Sequence, residues 1–149
     1  MRLSSEPDAF LQRYAFVLSD DPERLDMDWV IEHLQMMPWR KGKSVDALRR
    51  AIIGSFAYGI YAPEGKPAGF IRVISDGALF AWVGDFFVLP EYRGRGIGRW
   101  VFSTLLFESR FQAVPNWQLS TTDAQGFYKR FGFEVFQGQG EFMNMSRPP

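Results

Sequence analysis

The run Arg93-Gly94-Arg95-Gly96-Ile97-Gly98 constrains this chain more than any other stretch, because the residues on its two sides demand different secondary structure. Before it, Trp82 to Leu89 is apolar and aromatic, a strand candidate closed by Pro90. After it, Ile97, Val101 and Leu105, with Phe102 and Leu106 beside them, recur at helical spacing. A strand, a glycine-rich turn and a helix in that order present backbone N–H groups at a helix N-terminus, where an anion is stabilised. Glycine permits φ > 0 and lets a ligand approach the backbone closely. Arg93, Arg95 and Arg99 bring positive charge to the same point. A pyrophosphate fits that chemistry.

Two widespread phosphate loops are excluded. No Gly-x-x-x-x-Gly-Lys-Ser/Thr run exists, and a Gly-x-Gly-x-x-Gly reading from Gly94 fails at Arg99. What remains is Arg-x-x-Gly-x-Gly after a strand ending Val-x-Pro. A basic turn that merely caps a helix has the same look, so a second segment must decide. That segment is Ala124-Gln125-Gly126-Phe127-Tyr128-Lys129-Arg130-Phe131-Gly132-Phe133, a short helix candidate stopped by glycine and lying downstream of a strand candidate, Trp117 to Thr121.

The rest of the chain supplies the scaffold. Tyr14 to Leu18 is a short strand candidate, and Asp26 or Asp28 can cap a helix through Met36. Ser44 caps a second helix that ends at Gly54. Phe56–Tyr61, Ala68–Ile74 and Leu79–Val88 form a meander whose Asp76-Gly77 turn is a hairpin signal. The helix after the glycine run extends to near Phe111, and the short helix runs from Thr122 or Asp123 to Arg130. Phe133–Phe136 and Phe142–Met145 are read as closing strands joined by Gly138-Gln139-Gly140. The expected order is β-α-α-β-β-β-α-β-α-β-β in a single domain spanning 1–149. At 149 residues with 46% apolar content, the chain can bury a core without staples.

Both motifs and the element order resemble the GNAT superfamily of N-acetyltransferases, whose coenzyme A loop reads Gln/Arg-x-x-Gly-x-Gly/Ala. The resemblance implies an α/β fold with a mixed, mostly antiparallel sheet, splayed between its fourth and fifth strands and flanked by four helices. It implies acetyl-coenzyme A as cosubstrate and direct transfer to an amine, with no metal. By position, Phe87 and Val88 fall where strand backbone holds the pantetheine arm. Arg93, Gly94, Arg95, Gly96, Ile97, Gly98 and Arg99 fall where the pyrophosphate is wrapped. Tyr128 matches the tyrosine that protonates the leaving thiolate. Thr121 stands where many members carry an asparagine that contacts the coenzyme arm. A non-catalytic acyl-coenzyme A sensor or interaction domain is the alternative that keeps the same fold.

Asp85 interrupts an apolar strand, so it must be paired, hydrated or functional. Desolvation that raised its pKa would suit a base that deprotonates the acceptor; a salt bridge or a bond to neighbouring backbone is the structural reading. Glu91 and Asp123 are the fallback bases. His33 is placed on the polar side of its helix, Gly126 suggests a close approach, and Trp39 beside Arg40-Lys41-Gly42-Lys43 is a candidate wall of the acceptor pocket.

Lys+Arg equals Asp+Glu at 17 each, so no global field favours nucleic acid. With no cysteine and one histidine, disulfides, a thiol nucleophile and a histidine-rich metal site are excluded. The N-terminal stretch lacks the apolar run of a signal peptide and no 18-residue apolar stretch exists, so a cytoplasmic protein without a membrane partner is expected. The expected acceptor is a small-molecule or peptide amine, and assembly as a homodimer is left open.

Overall fold

Three antiparallel pairings and one parallel pairing build the sheet. In the computed structural model, which describes residues 15–136, 138, 140 and 142–148, the strands are β1 (Val17–Ser19), β2 (Phe56–Tyr61), β3 (Pro67–Ser75), β4 (Ala81–Val88) and β5 (Trp117–Gln118). They lie side by side in chain order, antiparallel from β1 to β4, with β5 parallel to β4. A parallel neighbour needs a crossover, and helix α3 (Ile97–Phe107) supplies it. The other helices are α1 (Met27–Met36), α2 (Val45–Ile53) and the single-turn α4 (Gln125–Lys129).

Capping side chains set the starts of α1 and α2. Asp26 accepts a hydrogen bond from the Trp29 N–H at 3.0 Å, and Ser44 accepts one from the Ala47 N–H at 3.1 Å. Their apolar stripes, Val30, Ile31 and Leu34 on α1 and Leu48 and Ile52 on α2, bury against Phe70 and Phe87 on one sheet face. The opposite face carries Ile71, Val73 and Val83, covered by Ile97, Val101, Phe102 and Leu105 of α3. Two apolar layers therefore sandwich the sheet.

Several boundaries differ from the sequence expectation, each for a physical reason. Asp76 accepts hydrogen bonds from the N–H groups of Ala78, Leu79 and Phe80, which holds Leu79 in the turn and delays β4 to Ala81. Helix α3 stops at Phe107 rather than near Phe111, because Glu108 turns extended, accepts a 2.5 Å hydrogen bond from the Tyr58 hydroxyl and pairs with Arg110. The expected closing strands do not form among the described residues. Phe133–Phe136 and residues 142–145 carry no strand, and Phe142, Met143 and Met145 lie exposed, with no buried face to fix a register. Tyr14 of the first strand candidate and Gln139 of the closing turn lie outside the described residues.

One irregularity positions the chemistry. Phe70 pairs with Phe87 and Arg72 pairs with Gly84, so Asp85 and Phe86 together oppose Ile71. This is a β-bulge, with Asp85 at φ +55°. The extra residue lets Gly84, Asp85 and Phe87 meet the α1/α2 side while Val83, Phe86 and Val88 pack on the α3 side.

Candidate active site

Beyond β4 the chain makes a short 3₁₀ turn, Pro90–Tyr92, and then crosses Gly94 at φ +76° and Gly96 at φ +78° before entering α3. Both glycines occupy the left-handed region that a side chain would strain. No side chain caps α3. Tyr92 and Arg93 donate their N–H groups back into the turn, and Trp100 donates to Gly96. Between them, the N–H groups of Gly94 through Arg99 find no acceptor among the described residues. The helix beneath is fixed by buried Ile97, Trp100 and Val101, so these donors stand on a rigid base. Arg93, Arg95 and Arg99 are exposed around them. A row of free N–H groups at a helix start, ringed by guanidinium groups, fits a pyrophosphate.

The edge of β4 beside this loop is open. Pairing with β5 covers Ala81 and Trp82 and goes no further, so the strands part before Phe87 and Val88. The Leu89 N–H bonds to the Ala68 carbonyl of β3, so by strand alternation the Phe87 backbone also faces β3, its ring packs into the α1/α2 layer, and it is the Val88 backbone that faces the open edge. The Val88 carbonyl accepts a 2.9 Å hydrogen bond from the Arg93 Nε, an internal bond that a ligand on that carbonyl would share or displace. A Cβ on Gly98 would meet the rings of Phe86 and Phe127 at 3.5 Å, an ordinary packing contact, so the approach of α3 and α4 does not itself demand glycine there.

Tyr128 follows Phe127 and packs its ring edge-on against Phe102 and Phe133, with centroids at 5.4 and 5.8 Å. Its hydroxyl has no hydrogen-bond partner among the described residues, and burial, then the charge of Asp123, pushes its pKa up to about 12. It stays protonated at neutral pH. Tyr128 lines a cavity of about 730 Å³ with Trp82, Trp117, Leu119, Thr121 and Phe142, on the β5 side of the opening. Thr121 Oγ1 accepts a 3.0 Å hydrogen bond from the Ala124 N–H, so its oxygen helps start α4 while its O–H remains able to donate. A Cβ on Gly126 would meet nothing within 4 Å among the described residues, so the close approach suggested by its sequence position is not seen among them.

Asp85 lies on the other sheet face, away from Tyr128. Its side chain is 1% exposed, and its two oxygens take bonds from Arg40 Nε at 2.7 Å, Trp39 Nε1 at 3.1 Å and Arg72 Nε at 2.6 Å. Burial raises its pKa, and the hydrogen bonds and charges of Arg40 and Arg72 lower it by more. The carboxyl is held below its usual range, the reverse of the raised pKa expected from desolvation alone. Sequence reasoning missed both arginine partners. A signal was present: Arg72 stands alone in Phe70-Ile71-Arg72-Val73-Ile74 as Asp85 does in β4, two lone opposite charges on consecutive strands.

Trp39 is half exposed beside this cluster, as a pocket wall would be. His33 is not on a solvated side. It is half-buried, stacks on Phe87 with centroids at 5.8 Å, and its Nδ1 lies 2.8 Å from the Trp29 carbonyl. Glu91 and Asp123 are exposed. Among the described residues no cluster of acidic, histidine or cysteine side chains could hold a metal, and no helix is long and apolar enough to cross a membrane.

Comparison with known proteins agrees with this arrangement. Residues 55–135 match the family described as an acetyltransferase (GNAT) domain. A Xanthomonas campestris crystal structure described as a "putative acetyltransferase" of the GNAT family is 34% identical, covers 89% of this chain and 94% of its own, and superposes with a TM-score of 0.83. A Gibberella zeae protein named "putative acetyltransferase" is 29% identical over 82% of this chain and 81% of its own length. A rice chloroplast serotonin N-acetyltransferase is 37% identical over 72 residues, covering 48% of this chain and 36% of the rice protein. The free N–H row, the parted strands and these matches agree: the chain belongs to the GNAT acetyltransferase family.

Proposed function

We propose that this protein transfers an acetyl group from acetyl-coenzyme A to an amine by direct attack within a ternary complex. The observation that carries the reading is the row of N–H groups from Gly94 to Arg99, held by two left-handed glycines and without an acceptor among the described residues. Hydrogen bonds to a charged group contribute about 1.5–3 kcal/mol each, so three or four give micromolar anchoring after the entropy of association. Acetyl-coenzyme A supplies the activated acetyl group as a thioester. Val88 offers its backbone at the open edge of β4, with Phe87 beside it bonded to β3, and Thr121 offers a hydroxyl across the opening.

The chain's own groups then have distinct tasks. As the amine nitrogen bonds to the acetyl carbon and the C–S bond breaks, the Tyr128 hydroxyl gives its proton to the departing sulfur. A thiolate whose thiol has a pKa near 8.5 is already a good leaving group, so a phenol that is a weaker acid but always protonated at neutral pH can assist its departure as donor and regain its proton from solvent. Asp85, with both oxygens engaged and its pKa lowered, is a weak proton acceptor. It serves instead to hold Arg40 and Trp39 at the mouth of the α1/α2 face, and the amine proton leaves to solvent.

Two measurements on one preparation test this. Calorimetry reads acetyl-coenzyme A binding, and thiol release is followed against amines, polyamines, amino acids and peptides. Binding with release that accelerates in the presence of an amine is expected. Binding with release that no acceptor changes identifies an acyl-coenzyme A sensor instead, and absence of binding removes the reading altogether.

A further inference from the structure

The connection between α1 and α2 reaches β4 at the bulge, and it does so with charge. Trp39 and Arg40 both donate to Asp85 Oδ1, while Arg72 occupies Oδ2. Two guanidinium groups therefore face one carboxylate, and the cluster keeps one uncompensated positive charge. Arg72 is 8% exposed and also reaches the Ala51 carbonyl, so it belongs to the interior. Arg40 is different. It is 28% exposed, its Nε alone is committed, and neither of its Nη groups has an acceptor among the described residues. A guanidinium presents five N–H donors in a fixed plane, and tying down Nε orients that plane.

The surroundings reinforce the sign. From Met37 to Lys43 the connection carries Arg40, Lys41 and Lys43 and no acid. The exposed indole of Trp39 lies beside Arg40, fixed by its own bond to Asp85. Both side chains bond Asp85, which lies on the part of β4 beyond its pairing with β5, so the pair stands on the α1/α2 side of that open stretch. The glycine loop and α3 belong to the other side, which leaves this face for the second substrate.

We infer that Arg40 selects the acceptor: the amine substrate also carries a carboxylate, which pairs with the free Nη edge of Arg40 while its apolar body lies against Trp39. The inference rests on the acetyltransferase reading for the identity of the bound molecule. A planar fork matches a carboxylate in two parallel bonds, which a compact ammonium cannot reproduce.

Matched pairs that differ only in the carboxylate provide the test, such as tryptophan with tryptamine and glycine with glycinamide. Wild type should turn over the carboxylate member with kcat/KM at least about tenfold higher. Arg40→Gln should erase that preference through KM while acetyl-coenzyme A affinity holds, and Arg40→Lys should recover part of it. A wild-type preference for the carboxylate-free members, or an equal loss on both members in Arg40→Gln, overturns the inference. If no amine is acetylated at all, the catalytic reading fails separately. Calorimetry of N-acetyltryptophan against its amide, with coenzyme A present, then reads the anion site directly. Tighter binding of the acid to wild type than to Arg40→Gln upholds the site, and equal binding overturns it.

Discussion

The glycine loop and the Asp85 cluster flank the same strand, yet they handle charge in opposite ways. From Gly94 to Arg99 the polar groups are backbone N–H donors on an exposed turn, without partners among the described residues and made available by two left-handed glycines. At Asp85 the polar groups are side chains bonded to one another around a buried carboxylate, with the outer edge of Arg40 left over. The first region is local: its neighbours in sequence are its neighbours in space. The second joins residues 13, 45 and 46 positions apart. Open donors are what a ligand site needs, whereas a satisfied ion cluster holds geometry. On that basis we propose that the loop binds the coenzyme and that the cluster positions the acceptor side.

The largest expected effect separates binding from chemistry on the loop's side of the sheet. Tyr128→Phe keeps the ring packed on Phe102 and removes the proton, so kcat should fall by about 10²–10⁴ with the acetyl-coenzyme A Kd unchanged. Unchanged turnover on a working acceptor would give proton donation to water or another group, and the catalytic half of the comparison would collapse.

Next in size is the cost of opening the ion cluster. Asn tolerates the left-handed backbone of Asp85 and removes only the charge. Asp85→Asn leaves Arg72 buried without its partner and should cost about 3–5 kcal/mol, read by chemical denaturation. The sign with pH follows from the lowered pKa. The stabilisation is present above the unfolded-state value of about 3.9 and is lost as pH falls through the lower folded value, so the gap between wild type and Asp85→Asn should close in acid. A kcat/KM profile whose acidic limb flattens in this variant would instead make Asp85 the general base.

Smaller effects test the acceptor wall and the short helix. Trp39→Ala should raise the acceptor KM and leave coenzyme affinity alone; a change in the latter would merge the two regions into one site. Gly126→Ala, where a Cβ meets nothing, should stabilise by about 0.5–1 kcal/mol in thermal melts. Destabilisation there would mean the Gly126 backbone is needed by a neighbour.

Legibility in the sequence followed the same division. The caps at Asp26 and Ser44, the glycine turn and the Phe127-Tyr128 helix are signalled by residues within one turn of where they act. The bulge at Asp85 is not, since it depends on how β3 and β4 come into register. The early end of α3 depends on Tyr58, fifty positions from Glu108. Phe133–Phe136 has strand composition without a paired neighbour, and composition alone does not make a ladder.

Calorimetric titration of acetyl-coenzyme A into wild type, Gly96→Val and Tyr128→Phe tests the central claim most directly. A β-branched residue at φ +78° forces the turn out of the conformation that aligns its N–H groups. Wild type and Tyr128→Phe should bind alike at micromolar levels, and folded Gly96→Val should give no measurable binding. A folded Gly96→Val that binds as wild type does would place the coenzyme elsewhere and contradict the assignment of the loop.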